Sequence, residues 1–392
     1  MKENAPTSMV REIMTEFSML TGLSPTGKLP PRRYLWTDAF AVCNFLELKR
    51  QTGDEKYKHL ALHLVDQVHT ILGRHREDDP RTGWISGLDE QEGKMHPTKG
   101  GLRIGKEMNE RRPADPFDER VEWDRDGQYY HYLTKWMHAL NRVSRVTGNS
   151  TYNTWAIELA KTAHARFTYV PSFGGPKRMY WKMSIDLSHP LVPSMGHHDP
   201  LDGFITYNEL QATAAKDIEK ATWPDLNAEM ADMAPMCGGK NWATDDPLGI
   251  GGLLSNAFKV AQLVIGEHFA HTDLLEILLD SSLQGLASYA RESPLKLPAD
   301  YRLAFRELGL SIGLRAVEKL HGLIKQNPRL FNKAHPLLSR VESLMRYAQL
   351  SEEIEMFWLE RTNRDANSWT EHRDINMVML ATSLAPDGYL TL

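Results

Sequence analysis

The sequence predicts an all-α protein, an (α/α)6 toroid of six helical hairpins. Two observations carry this. Apolar helices alternate along the chain with more polar amphipathic ones, and repeated helical hairpins mark a toroid or solenoid. Alternating Val/Ile/Thr strands of useful length do not appear, which argues against a large sheet. The 392 residues are therefore read as one toroidal domain, 1–392, with a long loop at 73–121 over its mouth.

The elements follow in order. Met9–Leu20 reads as a modest amphipathic helix, ended by Thr21-Gly22 and the prolines Pro25, Pro30 and Pro31. Trp36–Arg50 is strongly apolar, and Thr52-Gly53-Asp54 breaks it before the helix at Glu55–Leu72. Glu122–Val146 reads as one long helix. It is apolar at Tyr129, Tyr132, Leu133, Trp136, Leu140 and Val143, and carries a polar stripe at Asp124, Gln128, His131 and Lys135. A helix with two such faces predicts a core on one side and a wet compartment on the other. Thr147-Gly148-Asn149 ends it, and Thr151–Phe167 is its partner.

These two hairpins repeat each other. With Thr52-Gly53 set on Thr147-Gly148, Tyr57 falls on Tyr152, Leu64 on Leu159 and His69 on His164. Further pairs are Asp202–Lys220 with Pro224–Met236, Leu248–His268 with Thr272–Glu292, and Tyr301–Lys325 with Pro336–Leu350. His372–Leu384 is apolar with no partner after it. Six apolar helices and five partners leave Met9–Leu20 to close the ring beside His372–Leu384.

Composition narrows the function. A net charge of −5 gives no positive field for nucleic acid. Two cysteines, Cys43 and Cys237, are too few for a disulfide framework or a cysteine zinc site. The start MKENAPTSMVREIM lacks an apolar signal core, and no run of about 18 apolar residues occurs. A cytoplasmic protein without a membrane partner is expected.

In such a toroid the inner helices run parallel, so their N-termini gather at one end. The loops 73–121, 169–201 and 361–371 lead into that end, where function concentrates. Asp38, Asp124, Asp126, Asp199, Asp202, Asp245, Asp246 and Asp374 fall there, with Trp36, Trp123, Trp181, Trp242 and Trp369. Helix capping explains any one of these aspartates, but not their coincidence with the tryptophans.

The motifs W-T-D-A-F, W-D-R-D-G and H-D-P-L-D-G-F, with the hairpin count, resemble the six-hairpin glycosidase superfamily, which includes the unsaturated glucuronyl and rhamnogalacturonyl hydrolases. The resemblance implies an aspartate acid/base at an inner-helix start. Asp124 or Asp126, before Gly127, and Asp202, before Gly203, match by position. Gln128 stands where the family often has Phe. Sugar epimerases and some polysaccharide lyases share the toroid, so the fold leaves the reaction open.

The residues support glycoside chemistry on their own terms. A glycosidic bond needs a proton donor and a second carboxylate, and Asp124, Asp126, Asp199 and Asp202 are the candidates. Asp124 or Asp126 is expected to face Asp199 or Asp202. Trp36, Trp123, Trp181 and Trp242 offer flat surfaces for a saccharide or glycan, and Asp38, Gln128, His131, Lys182, His197, His198, His372 and Asp374 offer polar contacts. Lys94, Arg103, Lys182 or Arg373 could hold a uronate carboxylate. Trp84 or His96 is expected to face the site from the long loop. His197-His198-Asp199 lacks the spacing of a metal site, so neither metal nor cofactor is predicted. Gly249-Ile250-Gly251-Gly252 lacks the Lys-Ser/Thr of a phosphate loop and reads as tight helix packing.

The leading expectation is a carbohydrate-active enzyme, a glycoside hydrolase. One rival is a sugar 2-epimerase acting through His131, His197, His198 or His372. The other is a non-catalytic glycan-binding or scaffold protein, which would keep the aromatics and tolerate loss of the carboxylates.

Overall fold

The computed structural model describes residues 5–24, 29–112, 114–215, 225–267, 269, 271–331 and 334–392. The chain forms two compact units. One comprises Met1–Phe17, Glu47–Asp54 and Gly239–Leu392, the other Ser18–Leu46 and Glu55–Gly238.

The apolar helices occupy Leu35–Thr52, Tyr130–Thr147, Asp199–Ala215, Pro247–Glu267, Ala304–Gln326 and Arg373–Leu384. Their partners are Glu55–Leu72, Thr151–Phe167, Asn227–Cys237, Asp273–Glu292 and Ala334–Met345, the last followed by Gln349–Leu359. Ala5–Leu20 precedes them all. The expected helix ends at Lys220, Pro224 and His268 lie outside the described residues.

The repeat is chemical as well as positional. Gly53 and Gly148 both turn left-handed, at φ 73° and 71°, a conformation that costs a residue with a Cβ. In both turns the threonine hydroxyl donates to the carbonyl four residues back at 2.7 Å and accepts the N–H two residues on at 3.2 Å. Leu64 and Leu159 are both fully buried. His69 and His164 diverge: His69 accepts the indole N–H of Trp136 at 3.1 Å, while His164 meets Asp232.

The unit with Gly239–Leu392 is built on close helix contact. A Cβ at Gly251 would lie 2.0 Å from the Gly309 carbonyl oxygen, and one at Gly313 would lie 2.6 Å from Gly251 Cα. Within the run at 249–252, Gly251 thus serves packing, as the sequence suggested, whereas a Cβ at Gly252 would meet nothing within 4 Å. Pro247–Gly266 is long and apolar enough to cross a membrane, yet 72% of it is buried within the protein. Pro6 of the first helix lines a cavity of about 300 Å³ together with Ser383, Leu384 and Pro386 near the other end of the chain.

In the other unit the helix at Tyr130–Thr147 packs against its partner, Thr151–Phe167, and against Asp199–Ala215. The single helix expected over Glu122–Val146 is in fact three elements. Glu119–Asp124 is a short helix capped by the Asp118 carboxylate, Gln128–Tyr129 is a strand, and the long helix starts at Tyr130. The cause is a pairing distant in sequence: Gln128 and Tyr129 run antiparallel to Met183 and Lys182. Gly127, at φ 148°, lies so near the Met183 carbonyl that a Cβ would stand 2.7 Å from its oxygen. Among the described residues, strands are two or three residues long.

Candidate functional site

Much of the ring of residues expected around the inner-helix starts sorts into two groups: buried polar side chains that hold loops together, and a row of aromatic rings around His131, which Asp199 meets.

The first group is structural. Asp126 is buried, receives Arg103 Nη1 at 2.6 Å and Arg76 at 3.4 Å, and accepts the backbone N–H groups of Gly105 and Gly127 at 3.0 Å each. Its four partners tie the long loop to the turn before Tyr130. Gln128 is likewise buried, accepting the Leu102 N–H at 2.8 Å and donating to the carbonyls of Gly100 and Ile185. Lys182 is buried beside Glu122 at 2.9 Å and donates to the Glu122 and Arg125 carbonyls. Burial lowers its pKa, against the pull of Glu122. Asp38 meets Arg33 at 3.4 Å and accepts the Tyr34 N–H, closing the first turn of its helix. Asp124, expected at an inner-helix start, ends the short helix and is exposed.

The long loop does not direct Trp84 and His96 to the aromatic row. Trp84 is buried under the Arg74 guanidinium, 4.4 Å from its ring centre. His96 binds Glu158 on the partner helix at 2.6 Å, and Trp155 donates to the Met95 carbonyl. These loop residues cover the outside of a hairpin.

The second group centres on His131, one residue into the Tyr130–Thr147 helix. Its ring stacks on Tyr129, with centroids 5.4 Å apart and planes 12° apart, and meets Tyr132 and Trp36 edge-on. Tyr129 also stacks on Trp181 at 5.1 Å, and Trp181 contacts the exposed Trp123 at 5.3 Å. The short sheet fixes Trp181: its carbonyl accepts the Tyr130 N–H, and its indole donates to Ser194. Tyr34 shares a 2.8 Å hydrogen bond with Tyr132. Tyr34 and Tyr132 were not foreseen as site residues, because aromatics at core spacing read as packing.

Asp199 opens the Asp199–Ala215 helix and is 4% exposed. Its Oδ1 lies 3.7 Å from His131 Nδ1, and its Oδ2 is buried with no hydrogen-bond partner among the described residues. Burial, with the nearby Asp202 charge, pushes the carboxyl up to about 8, although Lys135 pulls the other way. Burial and Lys135 hold His131 down at about 4, against Asp202. At neutral pH the pair is thus a carboxylic acid beside a neutral imidazole. Asp202, three residues on and so on the same helical face, pairs with Lys135 at 3.2 Å. The residue in contact with Asp199 is thus His131, while Asp126 is held by Arg103. His197 is exposed and His198 half-buried, their rings 4.7 Å apart.

Trp242, His372 and Asp374 belong to the other unit. Trp242 is buried with Lys240 over its ring, His372 is exposed against Phe305, and Asp374 is near Arg373. The expected uronate-binding cations are all engaged: Arg103 with Asp126, Lys182 with Glu122, Lys94 with Glu90 and Arg373 with Asp374.

No family model and no curated protein matches this sequence. Solved structures do. A family 76 α-mannanase of Bacteroides thetaiotaomicron aligns with a TM-score of 0.55 at 8% identity, over 98% of this chain and 96% of that one. An inactive α-1,6-mannanase variant of Salegentibacter sp., in complex with α-1,6-mannotetrose, aligns with a TM-score of 0.52 at 12% identity, over 98% and 99%. A sugar epimerase from a ruminal bacterium aligns with a TM-score of 0.49 at 9% identity, over 96% and 98%. The first two likenesses show the fold of the chain, an (α/α)6 toroid.

Proposed function

We propose that this protein is a carbohydrate-active enzyme, a glycoside hydrolase in which Asp199 is the proton donor. The observation that carries the reading is the buried Asp199 carboxyl, against His131 and its row of aromatic rings, where burial raises its pKa. Glycosidic oxygen is a poor leaving group until protonated, and a carboxyl held at about 8 keeps its proton at neutral pH. The rings of Trp181, Trp123 and Trp36 supply apolar faces for a pyranose. Asp202, ion-paired to Lys135, is the second carboxylate for activating water or meeting positive charge at the anomeric carbon. The mannanase likeness, with its bound mannotetrose, supports a saccharide substrate.

The Salegentibacter enzyme was inactivated at two consecutive aspartates. Here the consecutive aspartates Asp78–Asp79 and Asp245–Asp246 include Asp79, held by Arg81, and Asp246, held by Arg306. The proposal therefore rests on the surroundings of Asp199 and transfers no catalytic pair. It is tested by reducing-sugar release from a panel of α- and β-linked oligosaccharides, α-1,6-mannans included. Asp199→Asn should lower turnover by at least about 10²–10⁴-fold, and an Asn variant as active as wild type would sink it.

A second reading, a 2-epimerase, is favoured by one observation. His131 stays neutral at neutral pH and can take a proton that Asp199 returns. Deuterium incorporation at carbon 2 of a free reducing sugar in heavy water, without release of new reducing ends, identifies it.

A further inference from the structure

Three residues that stand around His131 each carry a buried polar atom with no hydrogen-bond partner among the described residues. The atoms are Asp199 Oδ2, the Trp36 indole Nε1 and the Tyr129 hydroxyl. Trp36 is 6% exposed and Tyr129 2%. Trp36 lies 6.1 Å and Tyr129 5.4 Å from His131, ring centre to ring centre, and Asp199 reaches the same imidazole. Unpartnered polar atoms occur elsewhere in the described chain, but these three share one neighbour and one aromatic surface. A buried polar group without a partner carries a desolvation penalty. That penalty persists in the free protein where a ligand is what removes it.

We infer that Trp36 Nε1–H and the Tyr129 hydroxyl are ligand-reading groups, which bind hydroxyl or ring oxygens of a sugar lying on the aromatic row. The chemistry is specific. The indole only donates, so it needs an acceptor oxygen. The phenol donates or accepts, and burial raises its pKa above the usual tyrosine range, so it remains a phenol rather than a phenolate. The ligand class is a ring with one apolar face and two oxygens on its rim, the pattern of a pyranose. This inference rests on the saccharide reading above and adds which side chains discriminate among sugars.

The test uses Tyr129→Phe, which keeps ring and volume and removes only the hydroxyl. Binding of methyl α- and β-pyranosides of glucose, galactose, mannose, xylose and glucuronic acid to the full chain is followed by calorimetry. The tightest binder is then compared with its monodeoxy analogues. The expected result is about 3–10-fold weaker binding in Tyr129→Phe, as for one neutral hydrogen bond. One deoxy analogue should bind both proteins equally, and the variant's melting temperature should equal or exceed that of wild type. Trp36→Phe should show the same coupling with a different deoxy position.

Unchanged binding in Tyr129→Phe overturns the inference, and so does the absence of binding by any glycoside. A melting temperature several degrees lower also overturns it, since it would mean that the hydroxyl serves the fold. Intact binding and coupling with a fully active Asp199→Asn would uphold the inference while removing Asp199 as the acid.

Discussion

Asp199 and His131 face each other at 3.7 Å, where burial raises the pKa of the carboxyl to about 8 and lowers that of the imidazole to about 4. The charged form of each group is disfavoured by the same burial, so the contact is neutral at neutral pH rather than zwitterionic.

The first prediction concerns stability against pH. Folding raises the pKa of Asp199 from 3.8 to about 8. Its contribution is therefore fully present below about 3.8 and is lost as pH rises towards 8. His131 is lowered from 6.5 to about 4, so its contribution is present above 6.5 and lost as pH falls to 4. Between pH 4 and 6.5 the two slopes oppose each other, and between 6.5 and 8 Asp199 acts alone. Urea titrations should show Asp199→Asn gaining on wild type by up to about 1.4 kcal/mol per pH unit from pH 4 to 8. A pH-independent difference would contradict the pairing.

The second concerns the rate profile. With Asp199 as acid, kcat/KM should fall as pH rises through about 8. Asp202 pushes Asp199 up and Lys135 pulls it down. Asp202→Asn should therefore move that alkaline limb down, and Lys135→Met should move it up, each by about 0.5–1 pH unit. Shifts of the same sign in both variants would remove Asp199 as the titrating group.

The third separates Asp126 from catalysis. Asp126→Ala leaves the Arg103 guanidinium buried without its carboxylate. Chemical denaturation should show a loss of about 3–5 kcal/mol. In the milder Asp126→Asn, which keeps the shape, the activity per folded molecule should stay within a few-fold of wild type. A loss of about 10²-fold or more in Asp126→Asn at full folding would restore the aspartate to the chemistry.

The fourth concerns Gly127. An alanine there must hold φ 148° and place a Cβ against the Met183 carbonyl. The expected cost is about 1–3 kcal/mol, with a red-shifted tryptophan emission as the Trp181 strand loosens. An unperturbed melting curve and spectrum would show that the strand pairing at 128–129 and 182–183 is dispensable.

The hairpins could be read from the sequence because their signals are local. Thr-Gly turns, capped by their own hydroxyls, and apolar spacing within one helix need only neighbouring residues. The break at Gly127 could not be read, because Tyr129 to Val143 keeps a helical rhythm and the strand partner lies more than fifty residues away. For the same reason Asp126 looked like an acid: nothing nearby announces that Arg103, across a loop, will occupy it. Asp199 was visible as a candidate through its place in the loop that leads into the helix expected from Asp202. Its neutral state was not, since that depends on burial and on His131, Asp202 and Lys135 meeting from two helices.

The two-rung ladder joining Gln128–Tyr129 to Lys182–Met183 has a consequence for how such a protein can diversify. Trp181 reaches Tyr129 from a connecting segment, while His131 and Asp199 ride on helices that also build the core. Substitutions on either side of the ladder, in the stretch 169–181 or 193–198, can reshape what lies against the acid without repacking a helix. The proposed proton donor and the aromatic surface beside it are thus separately mutable. A lineage using this scaffold could change its preferred ligand by small steps and keep its reaction throughout.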